Sequence, residues 1–358
     1  MGASLFEIIF FIGFTVIIAS ILILDLGVFE KENKVVTMKN AAISTSAWVL
    51  LAILFFVFIY FHGEKIHGVN DYDALNEIAL KYHKGTDYKA MGLSYEEALQ
   101  KYRSQMSLEY ITGYLIEYSL SIDNIFVMIL IFSSFGINRK FYKRVLMWGV
   151  LGAIVMRFIF IFLSSALIQE YEWILYIFGA FLVYTGVMMF VRRNEEESVK
   201  TTDNTLVKLF AKIIPISRDI DDDTFFKRID GKLHMTILFV CLLVIEFSDL
   251  IFAVDSIPAI FSVTQDPFVV FFSNIFAILG LRSLFFLVSN IMDKFRFLKI
   301  GLAVLLTFIG IKMLTVEWLH KIGFEIYHSL IIIVSILFVS ILSSVLIPEK
   351  NKDIKRVE

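Results

Sequence analysis

Residues 112–132 read TGYLIEYSLSIDNIFVMILIF, and residues 237–261 read ILFVCLLVIEFSDLIFAVDSIPAIF. Each run is long enough to cross about 30 Å of hydrocarbon as a helix, which takes about 20 residues. Yet the first carries Glu117 and Asp123, and the second Glu246, Asp249 and Asp255. An acid at the centre of a membrane helix costs about 2.5–3.5 kcal/mol on insertion scales, so it normally faces a protein interior or a pathway. Two apolar helices that each hold acids predict a membrane protein with a polar centre.

The rest of the chain agrees. Its 358 residues are 58% hydrophobic and only 19% charged, with a mean hydropathy of +0.76, whereas soluble chains are about 45–50% apolar. Nine apolar spans are expected, over residues 5–28, 41–61, 108–135, 145–168, 172–191, 234–262, 267–290, 297–316 and 325–347. The fold class is therefore all-α, a polytopic helical membrane protein. Its parts are two N-terminal spans (1–61), an extracytoplasmic polar segment (62–107), three spans (108–191), a cytoplasmic loop (192–233), three more spans (234–316), and a last span with a basic tail (317–358). The first run is expected to stay in the membrane, since it is a full span and MGASLFE before it carries no Lys or Arg.

Positive charge sets the orientation. Lys31, Lys34, Arg139, Lys140, Lys143, Arg144, Arg192, Arg193, Lys294, Arg296, Lys350 and Lys352 all follow odd-numbered spans, and the short even loops hold Lys321 as their only cation. The N-terminus is expected outside and the C-terminus in the cytoplasm. Both long polar segments, including Glu195–Glu197 and Asp221–Asp223, read as solvated surface, and the outer one is expected to be partly helical, since Ser94 to Glu97 has the form of a capping box before Ala98 and Leu99. His62, His67 and His83 fall in the outer segment and are not expected to be ligands.

Spans three to five resemble spans six to eight. Asp123-Asn-Ile-Phe126 aligns with Asp249-Leu-Ile-Phe252, Gly152 to Arg157 with Ala277 to Arg282, and Tyr184 to Met189 with Phe308 to Met313. Units of three spans make the second copy inverted, the plan of many secondary transporters, whose substrate sites lie near the bilayer midplane. Asp123 and Asp249 are repeat partners there. By helical rise, Glu117 and Asp255 lie about 9 Å outward of them and Glu246 about 4.5 Å inward. Pro258 leaves the carbonyl of Val254 without its helical donor and favours a bend beside Asp255.

The donors near these acids, Ser121, Asn124, Ser248, Ser256 and Asn274, are all oxygen-bearing, which suits hard divalent cations better than Zn²⁺ or Cu⁺. The expected metal-binding residues are Asp123, Asp249, Glu117, Glu246, Asp255, Asn124 and Ser248, with Arg157 and Arg282 compensating charge. Lys312 is expected to snorkel. A single cysteine, Cys241, rules out an intrachain disulfide framework, and the net charge of −2 argues against nucleic acid as main partner. No P-loop, HExxH or GxSxG string occurs, so no enzyme activity and no resident cofactor are expected. The expected partners are a divalent metal ion and the lipid bilayer.

The strings at 112–127, 144–157, 173–189, 246–268 and 273–286 closely resemble the TerC/Alx family of bacterial membrane proteins, over most of residues 5–347. The resemblance implies a multi-pass manganese exporter of the bacterial plasma membrane, historically associated with tellurite resistance and, in the Alx branch, with alkaline pH. Carried over by position, it marks Glu117, Asp123, Glu246, Asp249 and Asp255, with Asn124, Ser248 and Ser256 beside them, and also Arg157, Arg282, Lys312 and Asp25. The segment 62–107 looks longer than is usual in that family. Three functions stand at this point: Mn²⁺ export, with protons as the coupling ion; exchange of another divalent cation such as Ca²⁺; and a membrane scaffold or sensor in metal or stress responses.

Overall fold

In hydrocarbon every backbone polar group must be satisfied within its own segment, so each apolar run closes into a helix. The computed structural model describes residues 5–25, 37–83, 86–171, 173–191, 216–217, 224–229, 231–289, 297–321, 323–324 and 326–347; the side chains at 5–8, 19, 22–25, 123, 126, 130, 134, 216, 217, 254, 255, 298, 299, 320 and 326 lie outside that description. In chain order the helices are α1 (Leu5–Asp25), α2 (Met38–His62), α3 (Glu64–His67), α4 (Tyr72–Tyr82), α5 (Tyr95–Ser134), α6 (Tyr142–Glu170), α7 (Ile174–Val191), α8 (Ile237–Phe261), α9 (Pro267–Val288), α10 (Leu298–Leu314), α11 (Val316–Lys321) and α12 (Ile326–Leu346). Among the described residues seven helices are long and apolar enough to cross a membrane, and shorter apolar stretches occupy Ile9–Ile18 and Ile300–Leu314.

A helix that is apolar all round must be enclosed. In α9 only Phe286 and Leu287 fall short of full burial. Helices α2, α5 and α6 pack along it, and α1 adds rings, with Phe14 centred 4.5 Å from Phe272 and Phe11 4.9 Å from Phe271. Asp266 caps its first turn, accepting from Phe268 N at 2.9 Å, and Pro267 takes the first position, where no N–H is needed. Outward faces of α6 (Val155, Ile159, Leu163) and α12 (Phe338, Val339, Val345) are exposed and apolar, as lipid contact requires.

Helices α7 and α10 meet backbone to backbone. A β-carbon at Gly310 would lie 2.6 Å from the Gly179 carbonyl oxygen, and one at Gly186 would lie 2.7 Å from that of Ala303. Small residues permit this close approach, which takes the place of a hydrophobic drive between helices in lipid.

Three sequence expectations change. The outer segment and span three are not separate: α5 starts at Tyr95, with the Ser94–Glu97 capping box formed, and runs unbroken to Ser134. The outer segment is also folded rather than merely solvated, because its residues Ile66, Leu75, Ala79, Tyr88, Tyr102 and Met106 are fully buried. In the segment between α7 and α8, a small sheet forms in which β3 (Lys232–Thr236) pairs in parallel with β1 (Ile216–Ser217) and antiparallel with β2 (Phe226–Ile229). Gly231 turns that hairpin at φ +76°, a conformation that favours glycine. Glu195–Glu197 and Asp221–Asp223 lie outside the described residues.

Leucine at Gly310 is expected to overpack the α7–α10 contact, costing about 2–3 kcal/mol. Thermal unfolding of the purified protein in detergent should show the loss, while the same change at Gly13, where a β-carbon would meet no neighbour within 4 Å, should leave stability nearly unchanged.

Candidate functional site

Helices α5, α6, α8 and α9 bring their polar residues to one buried point. On α5, Glu117, Ser121 and Asn124 follow a spacing that places them on one helix face, and all three are buried. On α8, Asp249 and Ser256 lie two turns apart and are likewise buried. Between these helices stands Arg157 of α6, 1% exposed. Its Nη1 is ion-paired with Glu117 Oε1 and lies 2.5 Å from Asn274 Oδ1 and 3.3 Å from Ser256 Oγ. Its Nη2 reaches Asp249 Oδ1 at 3.5 Å. Asn274 is itself held by donating through Nδ2 to the Val270 carbonyl at 3.1 Å.

One guanidinium therefore serves two carboxylates. Glu117 and Asp249 leave one net negative charge when all three groups are ionised, and each keeps one buried oxygen, Oε2 and Oδ2, with no hydrogen-bond partner. Buried acceptors in native proteins are normally satisfied, so two unpartnered carboxylate oxygens in one cluster mark a place suited to a proton or a hard cation. Arg157 thus joins two acids that helical rise alone sets about 9 Å apart in depth.

Of the other residues named from the sequence, Glu246 is half-buried one turn from Asp249, its carboxylate against Gly152 of α6 where a β-carbon would collide with it. Ser248 is half-buried and donates to the Val244 carbonyl at 2.8 Å. Arg282 is buried on α9, about 12 Å along the helix from Asn274. The side chains of Asp123, Asp255 and Asp25 lie outside the described residues. Helix α8 continues through Pro258 as a single element to Phe261. Among the described residues no group of three His, Cys, Asp or Glu side chains stands ready to hold a metal ion.

A second buried polar cluster escaped the sequence reading, which counted five acids in spans three and six and passed over Glu109. His83 Nδ1 lies 2.9 Å from Glu109 Oε1, Thr264 donates to Glu109 Oε2 at 2.7 Å, and Gln105 donates to Oε1 at 3.1 Å. Nearby, His67 Nε2 lies 2.8 Å from Asp266 Oδ2. Both histidines come from the outer segment, which the sequence placed in solvent, and both are buried. The available signal was the spacing Glu109–Gly113–Glu117, which repeats every four residues along one stripe of α5.

The family model described as integral membrane protein TerC family matches residues 102–352, more than half of the chain. The chain belongs to the TerC family. Within it, the "Putative membrane-bound redox modulator Alx" of Escherichia coli (strain K12) is 42% identical over 309 residues, 86% of either chain. The "Uncharacterized membrane protein STKORF319" of Myxococcus xanthus is 38% identical over 334 residues, covering 93% of this chain and 91% of that one. An uncharacterized membrane protein of Rickettsia bellii is 35% identical over 333 residues, 93% and 96% of the two chains. No solved structure matches this TerC protein.

Two outcomes follow for this TerC protein. Arg157→Gln strands two buried acids and is expected to cost about 3–5 kcal/mol. Adding Glu117→Gln should restore much of the loss in a thermal-unfolding comparison of the single and double variants. The outer cluster gives a pH dependence. Burial alone would lower the His83 pKa, but the charge and hydrogen bond of Glu109, with the charge of Asp266, outweigh it and raise it above the ordinary histidine value. Burial would raise Asp266, but the charge and hydrogen bond of His67, the Phe268 N–H and His83 hold it below the ordinary carboxylate range. The His83 contribution is complete below the unfolded histidine pKa of about 6.5 and is lost as pH rises through the folded value; that of Asp266 is complete above about 3.9 and is lost in acid. Amide exchange in residues 64–83 should thus be slowest between about pH 4 and 6.5 and quicken above that window, after correction for intrinsic exchange rates.

Proposed function

We propose that this TerC-family integral membrane protein is a secondary transporter that exports a divalent cation, Mn²⁺ foremost, from the bacterial cytoplasm across the plasma membrane in exchange for protons. The observation that carries the reading is the Glu117–Arg157–Asp249 cluster, in which two buried carboxylates share one guanidinium and each keeps an unpartnered oxygen. Intramembrane acids arranged around a protein interior mark ion pathways, and an oxygen-only donor set suits Mn²⁺, Mg²⁺ or Ca²⁺. Asp123, Asn124, Glu246, Ser248 and Asp255 complete the proposed set, with Arg157 and Arg282 balancing charge.

Export of a divalent cation against an inside-negative potential costs about 4.6 kcal/mol per 100 mV, at about 2.3 kcal/mol per charge. Something must drive it, and a metal that displaces protons from acids supplies the coupling. The mechanism fits a site of this kind: with protons bound the acids are neutral, and with metal bound they are ionised, so the two ligands compete for the same oxygens. Nine spans, an outside N-terminus and two inverted three-helix units belong to the same proposal, since they set the cluster at the centre of the membrane.

The name of the Escherichia coli relative speaks of redox modulation. Here Cys241 is the only cysteine and is buried, so a dithiol–disulfide cycle within the chain has no second thiol, and the geometry favours ion movement. Tellurite is an oxyanion that a cavity of carboxylates repels, so any link to it is indirect.

The test is cellular manganese after a Mn²⁺ load in a strain depleted of its own exporters. The intact protein should lower it severalfold, and Asp123→Asn, Glu117→Gln and Asp249→Asn, each checked for membrane expression, should approach the empty-vector level. Equal manganese with intact and variant proteins would sink the manganese reading and turn attention to Ca²⁺ flux and then to a scaffold role.

A further inference from the structure

Two glycines of α6 lie against α8, and they differ in what they meet. A β-carbon at Gly149 would lie 3.6 Å from a methyl of Ile245 and 3.9 Å from one of Leu242, ordinary contacts that an alanine satisfies. At Gly152 the three nearest atoms all belong to the carboxyl group of Glu246, and a β-carbon would collide with each. Where α7 and α10 cross, by contrast, Gly186 and Gly310 are hemmed in largely by backbone atoms. Glycine at 152 therefore makes room for one acid, not for a closer approach of two helices.

Glu246 differs from the acids beyond it. Glu117 and Asp249 are buried and share Arg157, whereas Glu246 is half-buried, and among the described residues no cation or hydrogen-bond donor engages its carboxyl group. It stands three residues before Asp249, a neighbouring position on the helix surface about 4.5 Å along the axis. In the orientation proposed above that displacement is toward the cytoplasm, so a cation moving to the buried pair from that side meets Glu246 first.

The sequence repeat changes both members together. By the matches that pair Asp123 with Asp249 and Gly152 with Ala277, Leu120 takes the place of Glu246 in the other unit. The unit that lacks the acid carries a β-carbon at the position that would have to clear it.

We propose that Gly152 is a positioning residue for cation entry: the notch it leaves in α6 holds the Glu246 carboxylate where it takes the cation from the cytoplasmic side and hands it to Asp249 and Glu117. This deepens the transport reading and rests on it, including its orientation. An alanine methyl at 152 occupies the space of the carboxyl group. Because that group ends a flexible side chain, the protein folds and the acid swings out of the notch. The cost falls on the first contact with the metal and not on the buried pair, whose partner Arg157 lies more than a turn farther along α6.

The experiment measures uptake of radiolabelled Mn²⁺ by the full chain in vesicles preloaded with unlabelled Mn²⁺, everted to present the cytoplasmic face and right-side-out to present the external face. Gly152→Ala, checked for thermal stability, should raise KM at the cytoplasmic face about tenfold while the maximal rate and the external KM stay within about twofold. Gly149→Ala should leave all of them unchanged. Glu246→Asp, one methylene shorter, withdraws the acid from the notch and should itself raise the cytoplasmic KM; adding Gly152→Ala to it should then change little, since the collision is gone. The proposal is overturned if Gly152→Ala alters nothing, alters both faces alike, or adds its full effect to that of Glu246→Asp. A Glu246→Asp protein with an unchanged cytoplasmic KM overturns it on its own, even where Gly152→Ala yields no folded protein. Each of these results leaves the transport reading in place. An intact protein that moves no Mn²⁺ from either face removes that reading, and the proposal with it.

Discussion

A guanidinium buried among apolar helices must be answered by acceptors there, because an uncompensated buried charge is costly. Arg157 is answered by Glu117, Asp249, Asn274 and Ser256, from three helices. This single requirement fixes how α5, α8 and α9 stand around α6. It also explains why four helices with poor amphipathic contrast, each apolar along most of its length, meet on specific faces.

Much of this was legible in the sequence. Acids inside apolar runs announced a polar interior, and the residues that meet Arg157 had all been singled out by type and position. Helix geometry was less legible. Rise along one helix set Glu117 and Asp249 at different depths, and it says nothing of a side chain on a neighbouring helix, here Arg157, that joins them. The α5 boundary was missed for a related reason: polar residues 95–107 end a hydropathy run but do not end a helix, and the Ser94 cap was the better guide. The β2–β3 hairpin carried its own signal in Asp230-Gly231 between alternating residues, a pattern that short polar loops easily conceal.

Burial of the outer segment was the least legible feature. His67 and His83 look like solvated residues in a charged stretch, and their partners Asp266 and Glu109 lie 199 and 26 positions away. No local pattern joins such distant positions. Their pairing ties residues 64–83 to the N-terminal half of α5 and to the α8–α9 connection, and α5 and α8 also carry the central carboxylates. The two polar layers thus share their supports.

Helix α9 has a further consequence, for biosynthesis. The helices that enclose it, α1, α2, α5, α6 and α8, all precede it in the chain. The ribosome therefore completes the wall before it makes the pillar. Until α9 arrives, Arg157 lacks Asn274 and the surrounding aromatic faces lack their filling, so the nascent protein must hold an open, partly polar socket in the bilayer. Entry of α9 closes that socket and brings Asn274 to Arg157.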